Sequence, residues 1–388
     1  MTALNIGMVG GGVGGLAAAI ALQKVGHRVT IFEQASRYGR VGADVNLTPN
    51  AVKVCDGLGI GEALREKGAQ PTYRISRTWD TGEETSRLEM AAAAERNYSA
   101  PQVTIHRADL LEALTSRLSR GALVLEKRVA TVGNRGDGAF IRFTDGSEQD
   151  FDLVVGADGI HSVVRTALFG EDHPEFTGLV SFRAAVPREK ITKLPNIDAF
   201  TKWWGPDPAI QIVTFPLNRG REQFVFATTA QDGWREESWT LAGDVAELRE
   251  IYKDFHPEAR ALLDACTEVT KSALYVREPM SRWSDGRITL LGDACHPMVP
   301  FMAQGACMAL EDAIVLARAL EDLPSRGDVA KALERYEDTR KERTARIQKN
   351  SRGNEWLKQG GNADWVYGYD AWHVSLAPGS HEVVKEKV

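Results

Sequence analysis

The sequence predicts an α/β protein in which a doubly wound parallel sheet is interrupted by a second, sheet-rich α+β domain and followed by a helical C-terminal region. Three observations predict it. A glycine-rich turn, Gly10-Gly11-Gly12-Val13-Gly14-Gly15, stands between an apolar run and a helical one near the start of the chain. Two later apolar runs end in short loops, Val154-Val155 before Gly156-Ala157-Asp158-Gly159, and Arg287 to Leu291 before Gly292-Asp293-Ala294. Between them lie strand-like runs at Leu179 to Val186, Ala209 to Phe215 and Gln223 to Thr229.

The elements follow in order. Ile6 to Val9 reads as a buried strand and Leu16 to Leu22 as a helix, so G-x-G-x-x-G falls on Gly10, Gly12 and Gly15 in the strand-turn-helix context it requires. Gly10 permits the tight turn, Gly12 lets a pyrophosphate approach the backbone, and Gly15 lets helix and strand pack closely; the helix N-terminus offers free N–H groups to phosphate. An acid should follow about twenty residues on to hold ribose hydroxyls. Glu33, with Gln34 beside it, closes the strand Arg28 to Phe32 in that place, and the opening is Rossmann-like. A second helix is expected over 51–67 and a hairpin over 74–88, turning at Asp80-Thr81-Gly82. Helix returns between Gln102 and Leu118 after the strand Val103 to Arg107, and short strands with turns at Gly136 and Gly146 run to Phe151. Further helices are expected through Ser162 to Arg165, Asp244 to Phe255 and Gly305 to Leu320, then from Asp328 toward the aromatic segment Trp365 to Trp372. The chain thus divides into a discontinuous nucleotide domain (1–72, 102–175 and 278–345), a substrate domain (73–101 and 176–277) and a C-terminal tail (346–388).

A chain of 388 residues with 43% hydrophobic content is long enough for two domains sharing a large core. A formal net charge of -6 without a lysine- and arginine-rich run argues against a nucleic-acid partner. Cys55, Cys266, Cys295 and Cys307 form neither a C-x-x-C pair nor a disulfide framework, which predicts no metal site and fits a reducing cytoplasm. The apolar N-terminal stretch carries the fingerprint and lacks a basic leader, and no segment reaches the roughly 18 uninterrupted apolar residues of a membrane span. The expectation is a cytoplasmic protein with no membrane partner. A homodimer stays open, because the aromatic tail either serves a dimer interface or covers the second domain.

Taken in this order, the fingerprint, Arg107 after the intervening strand, Gly156 to Gly159 and Leu291 to Ala294 resemble the single-component FAD-dependent aromatic hydroxylases, in the branch that contains salicylate hydroxylase and 6-hydroxynicotinate 3-monooxygenase. The resemblance runs nearly end to end. Its most specific stretch is Gly292 to Asp312, joined by Lys202-Trp203-Trp204 and Trp365 to Asp370. It implies FAD as cofactor, NADH or NADPH as co-substrate, O2, and a small aromatic substrate. The implied reaction hydroxylates a hydroxypyridine or hydroxybenzoate type of ring through a flavin C4a-hydroperoxide, with displacement of a carboxyl or acyl substituent as one form of it. The resemblance also implies Glu33 as the adenosine ribose ligand, Arg107 as a pyrophosphate or ribitol contact and Asp293 as the ribitol carboxylate. Asp158 and Gly159 correspond to a second fingerprint that serves both FAD and the nicotinamide nucleotide. Gln304, Gly305 and Ala306 open a helix whose N–H groups and dipole would stabilise negative charge on N1 and O2 of the reduced isoalloxazine. Two other readings stay open, a flavin dehydrogenase or reductase and a non-catalytic flavoprotein, since fold alone does not establish chemistry.

Where related enzymes are expected to place histidines and a tyrosine around the substrate, this chain has Asn46, Ala209, Val213 and Phe301. That predicts a more apolar pocket and a larger or less charged substituent on the substrate. If Val213 faces the pocket, strand alternation puts Gln211 and Phe215 on the same face. Gln211 then bonds a substrate carboxylate or carbonyl, or else stays on the sheet surface. Asn46 is either a flavin or substrate contact or a turn residue. His296 is either a catalytic base or a side chain packed below the flavin. Pro300 either sets its carbonyl near the reacting edge or braces the loop. Arg183 attracts an anion or forms a surface salt bridge, and Trp203, Trp204 and Cys307 read as packing residues.

Overall fold

In the computed structural model, which describes residues 2–39, 44–238 and 241–376, the strand Asn5–Val9 lies at the centre of a six-stranded sheet. Its order is Ser284–Asp285, Ile288–Leu290, Leu153–Gly156, Asn5–Val9, Arg28–Phe32 and Leu123–Val124, and every neighbouring pair is parallel except the first. The chain winds outward from Asn5–Val9 to Arg28–Phe32 and later returns on the other side with Leu153–Gly156. The fingerprint turn therefore sits at the carboxyl end of the strand where the winding reverses, the place where open parallel sheets bind ligands. The helix Val13–Lys24 is apolar nearly all round because it is buried on both sides, under the sheet and under the helix Gly305–Glu321. Glycine sets how closely these pack. A Cβ at Gly15 would come within 2.1 Å of the Gly10 carbonyl oxygen, and Gly10 itself has a φ of 101°, which a side chain would strain.

The helix expected over 51–67 is two, Pro49–Leu58 and Gly61–Lys67, because Gly59 turns left-handed at φ 86° and stops the first. Strands Val129–Arg135, Gly138–Phe143 and Glu148–Phe151 make a small antiparallel sheet that turns at Gly136 and Gly146.

The second large sheet has eight strands in the order Ala242–Gly243, Val269–Val276, Glu175–Pro187, Glu222–Ala230, Gln211–Leu217, Phe200–Trp204, Tyr73–Thr78 and Glu84–Glu89. The hairpin that turns near Gly82 adds its last two strands, and Phe200–Trp204, unassigned in the sequence, joins them to the rest through a parallel pairing. Alternation gives this sheet two apolar faces. The outer face, with Val180, Phe182, Ile212, Val225 and Ala227, is covered by helices Val245–Ile251 and Pro257–Asp264. One helix was expected there; Pro257 in the first turn starts a second. The inner face, with Phe200, Val213, Phe215, Phe224 and Phe226, meets Val299 and Phe301 from the loop that follows Asp293.

A buried charge network joins two helices of the nucleotide half. Glu311 and Asp312 interrupt the apolar helix Gly305–Glu321 and face Arg340 and Arg343 of the long helix Val329–Gly353. Arg343 binds Glu311 through two hydrogen bonds of 2.8 and 3.0 Å, and Arg340 reaches Glu311 at 2.7 Å and Asp312 at 2.8 Å. The tail after the long helix covers both domains. Arg343 donates to the carbonyls of Trp365 and Val366, Ser76 donates to Leu357, Lys53 to Gly368, and the Trp372 indole to Lys53. Of the tail expected over 346–388, residues 377–388 lie outside the described residues.

Removing one cation from this network leaves buried carboxylates under-compensated, which costs about 3–5 kcal/mol. Arg340→Met is therefore expected to lower the thermal midpoint of the flavin-loaded protein strongly, whereas Arg135→Met, in an exposed ion cluster with Glu148 and Asp150, should shift it little. Equal shifts in a melting experiment would refute the assignment. The network also sets an acid limit. Burial pushes Asp312 up, but His296 and Arg340 prevail and hold it at about 2 against an ordinary 3.8. Its contribution is complete above about pH 4 and is lost as pH falls toward 2.

Candidate active site

Three chain segments converge at the carboxyl ends of the parallel strands, and each residue there has a local reason for its position. At the first, the Glu33 carboxylate accepts from the backbone N–H of Gly11 and of Ala35, both at 2.8 Å, which fixes it beside the fingerprint turn. Tyr38 donates to the Gly11 carbonyl at 2.8 Å and closes the same turn from outside. A Cβ at Gly12 would meet nothing within 4 Å, so open space adjoins the start of the helix, where N–H groups lack intrahelical partners. Gln34 is exposed beside it.

At the second segment Asp158 has a structural task. Its two oxygens accept from the Ser162 hydroxyl at 2.5 Å and from the N–H groups of Val163 and Val164, which caps the helix Val163–Phe169. Its carboxylate shapes the loop, and Gly159 continues that loop at φ 79°.

The third segment carries Asp293 on a single turn, Gly292–Ala294, after the strand Ile288–Leu290. Its side chain is open to solvent although protein surrounds it, the signature of a residue lining a cleft. Burial pushes its carboxyl up, and His296 and Arg107 pull it back. Arg107, exposed at the start of the helix Arg107–Thr115, thus shares that cleft. A Cβ at Gly305 would lie 3.9 Å from an Asp293 oxygen, so the opening of the helix Gly305–Glu321 adjoins this carboxylate. The chain enters the helix through a turn at Pro300–Met302 and a left-handed Ala303 at φ 56°, a conformation that costs a non-glycine residue free energy and persists only where its surroundings impose it. Pro300 is exposed, and its carbonyl accepts from the Ala303 N–H at 2.9 Å.

These residues fit FAD. Open backbone at Gly12 with the adjacent helix start suits a pyrophosphate, Glu33 stands where a ribose would follow, Asp293 offers a carboxylate in a cleft, and the N–H groups at Gly305 and Ala306 open a second helix beside it. The Gln304 side chain is committed elsewhere. It donates to Thr48 at 2.8 Å and accepts from Asn50 at 3.1 Å, while Asn50 also donates to Glu311 at 2.7 Å.

Val213, Phe215 and Phe301 share one apolar cluster with Phe200, Phe224 and Phe226, three aromatics the sequence did not single out. Gln211 lies on the same face and is 0% exposed, which removes the surface reading. Its Nε2 has no partner among the described residues, and its Oε1 accepts from Asn354 at 3.3 Å. Asn46 is also buried; its carbonyl oxygen accepts from Gln102 at 2.7 Å and its Nδ2 has no partner among the described residues. His296 is 1% exposed, with Nε2 bonded to Asp312 at 2.5 Å and its ring against Trp283. That placement makes it part of the charge network, the packed alternative of the two. Cys295, His296 and Asp312 lie close enough to suggest a metal site, but Asp312 is already bonded to His296, Arg340 and the Gly292 N–H. Arg183 is buried with its guanidinium over Phe226, so it is not a surface ion pair. Trp203 packs on the outer face, and Cys307 is fully buried near Thr48.

The residues missed in the sequence are Asn50, Arg340, Arg343, Lys202 and Asn354. The available signal was two adjacent acids in an apolar helix and two arginines three apart in a charged one.

Asp293→Ala is expected to release FAD and abolish turnover together, with the flavin absorbance retained after gel filtration as the readout. Full occupancy in that variant would remove Asp293 from the cofactor site.

The FAD binding domain family matches residues 3–351. The chain is similar to 6-hydroxynicotinate 3-monooxygenase of Bordetella bronchiseptica, 38% identical over 375 residues covering 97% of each chain. It is also similar to 3-hydroxybenzoate 6-hydroxylase of Klebsiella oxytoca, 36% identical over 344 residues, 88% of this chain and 85% of that one. Among solved structures, a salicylate hydroxylase substrate complex superposes with a TM-score of 0.82 at 26% identity, over 95% of this chain and 96% of the other. The chain belongs to the FAD binding domain family and is a flavin-dependent aromatic monooxygenase.

Proposed function

We propose that this enzyme inserts one oxygen atom from O2 into an aromatic or N-heteroaromatic ring that already carries a hydroxyl group, of the hydroxypyridine or hydroxybenzoate type. One juxtaposition carries the reading. The loop that leads from Asp293 to the helix start at Gly305 also delivers Phe301 against Val213, Phe215 and Phe226 of the inner sheet face. A ring held there lies between the flavin cradle and an apolar wall.

Bound FAD, reduced by NADH or NADPH, supplies the activation of O2. The chain supplies the surroundings. Val213, Phe215, Phe226 and Phe301 exclude water from the reacting centre. The helix start at Gly305 and Ala306 stabilises negative charge next to Asp293. The free amide N–H groups of Asn46 and Gln211 donate to substrate oxygens. Attack on the ring is favoured when its hydroxyl is ionised, and a donor such as Asn46 Nδ2 stabilises that anion. The inner-face cluster differs from the polar surroundings expected for 6-hydroxynicotinate, which moves the reading away from that compound.

Aerobic NADH and NADPH oxidation should be stimulated by one class in a panel of hydroxypyridines and hydroxybenzoates, with one labelled oxygen in the product formed under 18O2. Product mass also separates simple hydroxylation from displacement of a carboxyl or acyl group. Turnover without label would mean dehydrogenase or oxidase chemistry and end this reading. His296→Gln should leave the pH profile of kcat/KM unchanged while lowering the thermal midpoint; loss of one limb of the profile would restore His296 as the base.

A further inference from the structure

We propose that Lys202 and Gln211, held by Asn354, anchor a carboxylate carried by the aromatic substrate, at the end of the inner face away from Phe215. This assignment rests on the hydroxylase reading above and adds the substrate's charge to it.

Lys202 lies directly opposite Val213 in the pairing of Phe200–Trp204 with Gln211–Leu217, so its side chain leaves the sheet on the face that Val213 shares with Phe226 and Phe301. It is 4% exposed. Its ammonium donates to Asn354 Oδ1 at 2.6 Å and sits 3.6 Å above the Trp204 ring and 5.8 Å from the Phe301 ring. Among the described residues no carboxylate pairs with it. The charged groups that face it are Arg74 and Lys358, both cations; Arg74 lies over Phe200 and Trp356 and bonds the Tyr367 hydroxyl, and Lys358 lies over Trp204. A buried ammonium among two other cations, with one carbonyl oxygen for a partner, is costly. An apolar side chain would serve packing better.

The neighbouring amide points to the same missing group. Gln211 pairs with Trp204 across the strands, is fully buried, and keeps Nε2 without a partner while its Oε1 is held by Asn354 Nδ2. Asn354 is fixed in turn, because it ends the long helix in a left-handed turn and its Nδ2 also donates to the Pro208 carbonyl at 2.9 Å. An ammonium and an amide N–H, both lacking an acid and set beside an aromatic wall, match the two oxygens of a carboxylate. A neutral carbonyl would fill the hydrogen bonds and leave the three cations uncompensated. Asn46, Ala209, Val213 and Phe301 stand where histidines and a tyrosine were expected for substrate recognition, and here their electrostatic work falls to Lys202.

Burial, then Arg74 and Lys358, hold the Lys202 ammonium well below its ordinary range, and a bound carboxylate opposes that shift.

The test is an equilibrium titration of the FAD-loaded protein with hydroxybenzoate, hydroxyphenylacetate and hydroxyphenylpropionate, and with their amides, followed by the change in flavin absorbance. Wild type should bind at least one carboxylate about tenfold or more tighter than its amide. Lys202→Met should weaken that carboxylate by about 10- to 100-fold, the range of a charge-assisted hydrogen bond, with the amide and the FAD content unchanged. Gln211→Leu should act in the same direction by a smaller factor, and it decides the matter should Lys202→Met lose its flavin. Equal affinity for acid and amide in wild type, or wild-type affinity in both variants, overturns the proposal, as does failure of every carboxylate to bind. Tight, Lys202-dependent carboxylate binding with no labelled oxygen in any product would instead leave the anchor standing and remove the hydroxylase reading.

Discussion

Four buried charges, Glu311, Asp312, Arg340 and Arg343, hold this molecule's working parts in register. Each acid receives more than one donor: Glu311 binds Arg343 twice and Asn50 once, and Asp312 binds Arg340, His296 and the Gly292 N–H. Burial alone would push both carboxyls upward, yet both stay below the ordinary carboxylate range because the arginines and His296 prevail. Such a network is weak evidence of stability in itself, since apolar residues could fill the same volume at no greater cost. What it supplies is direction. Through Gly292 it sets the turn that carries Asp293, and through Asn50 and Gln304 it sets the start of the helix expected to face the isoalloxazine. One polar cluster therefore positions both ends of the loop between Asp293 and Gly305, the proposed flavin cradle.

The eight-stranded sheet answers the opposite requirement. Its outer face meets helices and is filled with aliphatic and aromatic side chains, whereas its inner face is apolar in the middle and carries Gln211 and Lys202 at one end. The tail completes that end: Trp356, Leu357, Lys358 and Tyr367 contact Arg74, Ser76, Thr85 and Trp204. Within the aromatic segment Trp365 to Trp372, Tyr367 reaches Arg74 of the eight-stranded sheet. The same segment also reaches Lys53, Arg318 and Arg343 of the nucleotide half, so it spans both halves.

The parts of this structure legible in the sequence are those governed by local chemistry. The fingerprint glycines were legible because Gly10 needs a positive φ and Gly15 a missing Cβ, and the turns at Gly82, Gly136 and Gly146 because each has a positive φ. Alternation placed Gln211, Val213 and Phe215 on one face. What escaped depends on contacts distant in sequence. Arg340 and Arg343 stand in a helix so charged that nothing local separates them from its solvated residues, and only the packing of that helix against Glu311 and Asp312 buries them. Lys202 stood in the sequence only within the stretch Lys202-Trp203-Trp204, and its burial beside Asn354 depends on a contact 152 residues away. His296 carries the residue type of a base and a position after Asp293, and only the partner across the fold, Asp312, shows it to be internal.

The long helix joins these two systems. Arg343 and Asn354 are eleven residues apart on it, about 16 Å along the axis, one binding Glu311 behind the flavin cradle and the other binding Lys202 and Gln211. The arginines fix the helix against Gly305–Glu321, and Asn354, which caps its C-terminus, then fixes the buried lysine and glutamine of the inner face. A helix with its backbone bonds made internally is stiff over that length, so the depth of the polar end of the pocket is referenced to the cradle through one element. The division of labour follows from this. The glycine turns and Asp293 conform to a general way of holding a dinucleotide, while the residues that would choose among aromatic rings lie on a separate sheet and can change without disturbing the cofactor. The helix lets that freedom coexist with a constant distance between the two.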